Sequence, residues 1–389
     1  MVISHLKKYK YLKSLSINVG IGFISIIMML GAIELALPYI VALEKVSLVY
    51  DPLLGFRGRS NLEMVHTREM KGQSRIVKTN SFGFHDYEPT LLKGVGSKRL
   101  VFVGDSFLEA YQVDIADNFF RQTEDLLKGT YFVDQHIEAL NQGLHGYGMG
   151  TYALYIQNYV MTRQPDAVVL TLFMGNDLHD NYAPLASSAV PRFGWNDEQL
   201  QYTPAPSYSW KMWMRDHVLA HSTLIRFLWR RVFAGNVKLM QIARSGGLVS
   251  TPQMVEETLP QLQELTAIGA ALARDINTFL KDHNVGLFVF VIPDPLIVNM
   301  AAFPDKFAND TVSQRLVKNK TLLMRDMIAG LKESGIPYVL PLDTFVQRMR
   351  EGDEIYLNGY GHFSKTGHRV STHVLAPAIA NWLGQTDLF

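Results

Sequence analysis

Four short pieces of the chain carry groups that can share one reaction. They are Gly104-Asp105-Ser106-Phe107, Gly143-Leu144-His145-Gly146, Gly175-Asn176-Asp177 and Gly361-His362-Phe363-Ser364. In that order they offer a hydroxyl, backbone amides at glycine, a side-chain amide and an imidazole. A serine hydroxyl is a weak nucleophile at its free pKa and needs an imidazole to take its proton. Well-aimed amide donors stabilise the oxyanion that forms on an attacked carbonyl, each by about 3–4 kcal/mol. The set is the parts list for acyl transfer. Singly, each piece has a plainer reading: Gly-Asp-Ser is a common turn, the Gly146 region suits the start of a helix, and Asn176 suits a helix cap. The information lies in the ordered set.

Positioning these groups requires strands that end where they begin. Leu100-Val101-Phe102-Val103 is a short apolar run closed by Gly104, as a buried strand would be. Similar runs fall at 167–173, 287–292 and, more weakly, 338–340, with another strand expected near 137–140. Amphipathic stretches of helical length separate them, at 119–128, 150–162, 255–283, 312–334 and 365–383. Strands alternating with helices predict an α/β three-layer sandwich around a mainly parallel sheet of five strands, arranged as in flavodoxin. In open sheets of this kind, sites form beyond the carboxyl ends of the strands, where the candidate pieces fall. Residues 182–254 interrupt the alternation. They read as a helical insertion rich in aromatic and basic residues, among them Trp210, Trp213, Trp229, Arg226, Arg230 and Arg231. The plainest expectation is that these aromatics fill a small satellite core; a face toward a membrane or a partner is the other.

The four pieces resemble the sequence blocks of the SGNH/GDSL hydrolase superfamily, over about 99–384. The resemblance implies that Ser106 is the nucleophile, with its own amide as one oxyanion donor. It implies that Gly146 is the second donor rather than Gly143, that Asn176 is the third, and that His362 is the base. It implies no metal and no organic cofactor, and points to carbohydrate acetyl esters, envelope glycans and lipids as substrate classes. His145, His179 and His368 lie inside the same blocks and are expected to be structural. The departure is at the acid: the family sets an Asp two or three residues before the histidine, where this chain has Tyr360 and Gly359. In the Ser-His-Asp template, neutralising that acid slows the reaction by about four decades, or roughly 5–6 kcal/mol. Asp343, just after the 338–340 strand, is the first candidate to replace it. Asp353, Asp294 or a backbone carbonyl are the alternatives.

Composition narrows the setting. Lys and Arg number 37 against 36 Asp and Glu, so nothing favours a nucleic-acid partner, and the absence of cysteine excludes disulfides and thiolate chemistry. From Ser14 to Ile33 no residue is charged, and that stretch makes roughly 30 Å of helix at 1.5 Å per residue, the thickness of a hydrocarbon core. Lys7, Lys8, Lys10 and Lys13 precede it, and apolar character resumes after Glu34 as far as Leu43. The expected organisation is a basic tip and membrane anchor over 1–45, a connector over 46–98 that packs on the body, and the α/β domain over 99–389. The anchor at 14–43 reads as uncleaved. Its N-terminus is then cytoplasmic and its body extracytoplasmic, which is periplasmic in a Gram-negative cell. Two functions follow. One is a membrane-anchored esterase or O-acyltransferase acting on an ester or glycan. The other is a catalytically weak or inactive scaffold subunit of a membrane complex, suggested by Tyr360, by Glu34 inside the span as a contact for a membrane-protein partner, and by the Trp/Arg-rich insertion.

Overall fold

The computed structural model describes the chain except residues 1, 42, 68, 70–72, 91, 187–188, 197–198, 235–256, 360 and 387–389. It begins with one long helix, α1 (Val2–Ile40). Within its stretch Tyr11–Ile40 the most apolar 18-residue window has a mean hydropathy of 2.2 and is buried against nothing, so by length and composition it can cross a membrane.

The connector forms two antiparallel hairpins, β1 (Leu48–Asp51) with β2 (Gly55–Gly58), and β3 (Glu63–His66) with β4 (Arg75–Lys78). The first turn is closed by Asp51, whose carboxylate accepts from the N–H groups of Leu53 and Leu54, both at 2.9 Å. Leu54, Phe56 and Phe84 are buried in the main core, so the connector is part of the body rather than a tether. Polar pins add to this. Asp86 accepts from the backbone of Asn141 at 2.9 Å, and the His85 ring meets the Glu109 carbonyl at 2.9 Å.

The body is built on β5 (Ser97–Gly104), α2 (Ser106–Glu109), α3 (Phe119–Leu126), β6 (His136–Gly143), α4 (Met149–Asn158) and β7 (Ala167–Phe173). The insertion follows, with hairpin β8 (Arg192–Asn196) and β9 (Gln199–Thr203), then α5 (Trp210–Trp213) and α6 (Thr223–Ala234). The chain returns through α7 (Leu259–Asp282), β10 (Gly286–Ile292), α8 (Pro295–Ala302), α9 (Thr311–Glu333), β11 (Tyr338–Val339), α10 (Leu342–Arg350) and α11 (Lys365–Leu383). The sheet order is β11-β10-β7-β5-β6, and every pairing is parallel. Counted along the chain this is 2-1-3-4-5, the flavodoxin order, whose direction reverses between β5 and β7.

Side-chain alternation along the strands separates the two layers. Val101 and Val103 face a core shared with α4, α7 and α9, while Leu100 and Phe102 face a second core shared with α3, α10 and α11. Two features differ from the sequence expectation. The insertion opens with a β-hairpin rather than a helix, and Trp210, Trp213 and Trp229 are 70%, 48% and 41% exposed, so they fill no satellite core. The expected helix at 255–283 begins at Leu259 in the structure, capped by Thr258; residues 255 and 256 lie outside the described residues.

Gly104, the last residue of β5, illustrates how tightly the site is seated. A Cβ there would overlap the Thr171 hydroxyl on the neighbouring strand, which itself hydrogen-bonds to the Val103 carbonyl at 3.2 Å. Overpacking of this kind costs about 1–3 kcal/mol. Gly104→Ala is therefore expected to lower the urea midpoint of unfolding by that amount of stability; an unchanged midpoint would show that the strands can part there.

Candidate active site

Ser106 owes its position to the strand end beneath it. β5 stops at Gly104, and Asp105 caps α2 by accepting from the Phe107 N–H at 2.9 Å, so Ser106 becomes the first residue of a single helical turn. Its neighbours Asp105 and Phe107 are buried while Ser106 itself stays partly exposed. The loop after β6 lies against it: Leu144 N–H donates to the Gly104 carbonyl at 3.0 Å. A Cβ on Gly143 would stand 2.6 Å from the Glu109 nitrogen and 2.7 Å from Leu108. Gly143 is thus a packing glycine. Gly146, at φ +81°, lies in the left-handed region that glycine favours and is partly exposed.

His362 reaches the same place from the far end of the chain. Leu357 N–H donates to the His362 carbonyl and Gly361 N–H to the Leu357 carbonyl, both at 2.8 Å, closing the loop that presents the ring. Phe107 packs beside it, with ring centroids 5.0 Å apart. Nε2 of His362 lies 2.8 Å from the Ser106 hydroxyl, across 256 positions of sequence.

The other ring nitrogen has a carboxylate partner, and it comes from the connector. Glu69 Oε2 stands 2.8 Å from His362 Nδ1 and also accepts from the His362 backbone N–H at 3.1 Å. Gly361 makes room for it: a Cβ there would stand 3.0 Å from the Glu69 carboxylate and 2.8 Å from the Leu357 carbonyl. Glu69 has φ +62°, uncommon for a residue other than glycine. The Asn358 side chain donates to its carbonyl at 3.3 Å. With Nδ1–H donating to Glu69, Nε2 is left as an acceptor for the serine proton. Gln112 Nε2, 3.1 Å from Nδ1, is a second polar neighbour of the ring.

The carboxylates considered from sequence stand elsewhere. Asp343 is exposed in the first turn of α10, where a residue just past β11 follows the helix surface and not the loop that carries His362. Asp294 caps α8 and pairs with Lys320 at 2.8 Å, and Asp353 pairs with Arg348 at 2.5 Å. Glu69 lies 293 positions from the histidine and no spacing links the two, so the sequence alone does not point to it. The empty acid position and the expectation that the connector packs on the body were the only pointers. Tyr360 itself lies outside the described residues.

Asn176 leaves the end of β7, across the sheet's reversal point from Ser106. Its side chain caps no helix. It donates at 2.6 Å to Asp180, and since an amide carries two donor hydrogens, one remains for a ligand. The turn beneath is fixed from three sides: Asp177 accepts from Phe173 N–H at 2.7 Å and Tyr152 OH at 3.0 Å, Met149 N–H donates to the Asp177 carbonyl at 3.0 Å, and Lys320 donates to the Gly175 carbonyl at 3.2 Å. Burial pushes Asp177 and Asp180 well above the usual carboxylate range.

The remaining block histidines differ in environment. His368 is buried, its Nδ1 accepts from Phe119 N–H at 3.2 Å, and burial lowers its pKa to about 3, so it stays neutral. His179 is buried against Glu257 at 2.8 Å. His145 is partly exposed and its Nδ1 lies 2.8 Å from both oxygens of Glu109, one helical turn from Ser106. Among the described residues no group of three or more His, Asp or Glu side chains is placed to hold a metal ion.

No family model matches the sequence, and no curated protein matches it. Among solved structures, the chain is similar to a catalytic mutant of Axe2, an acetylxylan esterase from Geobacillus stearothermophilus. The identity is 12% and the TM-score 0.41, over 73% of this chain and 95% of that one. Unmodified Axe2 is 14% identical at a TM-score of 0.39, over 74% and 96% of the two chains. An alpha/beta hydrolase enzyme from the metagenome of Lake Arreo, Spain, is 16% identical at a TM-score of 0.37, over 72% and 94%. Likenesses this remote assign no chemistry, which rests on the geometry above.

Ionisation of the site follows from that geometry. Burial alone would lower the pKa of His362, but the hydrogen bond and charge of Glu69, with Asp105 and Glu109 behind, outweigh it and raise the pKa above the ordinary imidazole value. The same contact holds Glu69 low against its own burial. Only the neutral ring can take the serine proton, so phosphonylation of Ser106 should fall on the acid side with a midpoint above about 6.5. Glu69→Gln removes the charge and offers an N–H to Nδ1, which drives the proton onto Nε2. Its labelling rate should drop by about 10³-fold or more, and the midpoint should move to lower pH. A pH profile of fluorophosphonate labelling that is the same in both proteins would contradict the assignment.

Proposed function

We propose that the chain is a membrane-anchored, extracytoplasmic serine esterase or O-acyltransferase of the SGNH type. The observation that carries the reading is the unbroken line Ser106 Oγ, His362 Nε2, His362 Nδ1, Glu69 Oε2, with 2.8 Å at each hydrogen-bonded step. Ser106 Oγ attacks the carbonyl carbon of an ester while its proton passes to His362 Nε2, and Glu69 stabilises the imidazolium that results. The oxyanion is received by the amides of Ser106 and Gly146 and by the remaining Asn176 N–H. Collapse breaks the bond to the leaving alkoxide, which takes the proton from Nε2 and departs, leaving an acyl-Ser106. Water or an acceptor hydroxyl then attacks that acyl group and gives its proton to His362. The acyl–Oγ bond then breaks, Ser106 Oγ takes the proton back from His362 Nε2, and the acyl group leaves as an acid or as a new ester.

The missing acid is one of the three grounds for the scaffold alternative, and the Glu69 carboxylate at His362 Nδ1 answers it. The lysines at the start of α1 (Lys7, Lys8, Lys10 and Lys13) and the apolar length that follows them support an uncleaved anchor with the body outside the cytoplasm. Acetylated sugars, envelope glycans and lipid esters are the substrate classes to try first.

The intact protein should be labelled covalently by a fluorophosphonate and should hydrolyse a short-chain aryl ester. Ser106→Ala should abolish labelling and lower turnover by about 10⁴-fold or more. Labelling that survives this substitution, or an intact protein without turnover, would count against the proposal.

A further inference from the structure

Glu34 is the carboxylate inside the apolar helix, and its partners lie within the same chain. It accepts from Ser222 Oγ at 2.8 Å, Thr223 N–H at 2.6 Å and Leu224 N–H at 2.9 Å, and so caps the N-terminus of α6. The contact satisfies the free N–H groups of a helix start and sets a negative charge against its dipole. It also fixes the depth of α6. The uncharged run Ser14–Ile33 accounts for roughly the whole thickness of a hydrocarbon core and ends at the residue before Glu34. A helix start bound to Glu34 therefore lies at the boundary between acyl chains and headgroups.

The faces of α6 suit that depth. Ile225, Leu228 and Trp229, spaced three and four apart, are 37%, 50% and 41% exposed. Arg226 is turned inward, donating to the Leu219 and Ala220 carbonyls at 2.7 and 3.1 Å. Arg230 and Arg231 are exposed. An apolar stripe with an aromatic at the polar boundary and exposed arginines nearby is the pattern of a helix lying in a membrane interface. The segment is also fixed to the body, since Asp216 accepts from Tyr50 N–H at 3.0 Å and the Tyr208 ring packs tilted against Tyr50 with centroids 4.9 Å apart.

We infer that α6 is a second membrane contact. Pinned by Glu34 to the outer end of the anchor, it lays Ile225, Leu228 and Trp229 into the acyl–headgroup boundary, with Arg230 and Arg231 toward anionic headgroups. The inference rests on the membrane-anchor reading above and gives the body a second point of attachment to the bilayer.

The absence of cysteine allows a clean test. Full-length Leu228→Cys, Ile24→Cys and Val312→Cys are each spin-labelled and reconstituted in vesicles of phosphatidylethanolamine and phosphatidylglycerol, and collision with oxygen is compared with collision with a water-soluble nickel chelate. The label at position 24 should meet oxygen in preference to nickel, the label at 312 on α9 the reverse, and the label at 228 should side with 24 at a shallower depth. Adding Glu34→Ala should shift the 228 label toward water. A 228 label in water while 24 is in lipid would overturn the inference and leave the anchor standing. A 228 label shielded from both probes would mean that protein covers this face, which also overturns it. A 24 label in water would sink the anchor and the inference together.

Discussion

The contact between Glu69 and His362 is the constraint on which the site depends. It joins the connector to the last loop before α11, 293 positions away, and its carboxylate comes from the stretch between β3 and β4, so it forms only with that hairpin seated on the body. The backbone around it is shaped to the same end. Glu69 takes a left-handed conformation, and Gly361 leaves no side chain where the carboxylate must lie. A non-glycine residue holds such a conformation only where its surroundings impose it. Here the surroundings include two hydrogen bonds to His362. The result is an imidazole whose tautomer and orientation are set by one carboxylate, which is also the main cause of its raised basicity.

The sheet supplies the other half of the arrangement. Reversal of strand order between β5 and β7 opens a crevice beyond their carboxyl ends, and Ser106 and Asn176 leave those two strands. The loop after β6 is held to the Ser106 turn by the Leu144–Gly104 bond, and the loop after β7 is held to α4 by the Met149–Asp177 bond. Backbone hydrogen bonds between loops, rather than side-chain packing alone, thus keep the donor groups in relation to the hydroxyl. Catalytic groups positioned by such a frame need little reorganisation when a charge develops.

Much of this was legible in the sequence because it is local. Apolar runs bounded by glycine marked the strands: the 167–173 run coincides with β7, and 287–292 differs from β10 only at its first residue. The 365–383 helix coincides with α11, whose cap Ser364 follows directly from the His362 block. Short helices were not legible: α8 and α10 add 8 and 9 residues that make no long periodic pattern. Glu69 was hidden for a different reason. A pairing between a loop of the connector and a loop near the end of the chain leaves no trace in periodicity or spacing. The same holds for Glu34, whose partners in α6 lie nearly 190 positions away. From sequence it read as an anomaly in an apolar helix; in the structure it is a cap.

The central claim, that Glu69 is the carboxylate on the catalytic histidine, can be tested without turnover. A proton held between imidazole Nδ1 and a carboxylate gives a far-downfield signal in the proton magnetic resonance spectrum. The account predicts such a signal from His362 in the intact protein, its loss in Glu69→Ala and its persistence in Asp343→Ala. A signal that survives Glu69→Ala, or disappears with Asp343→Ala alone, would contradict it.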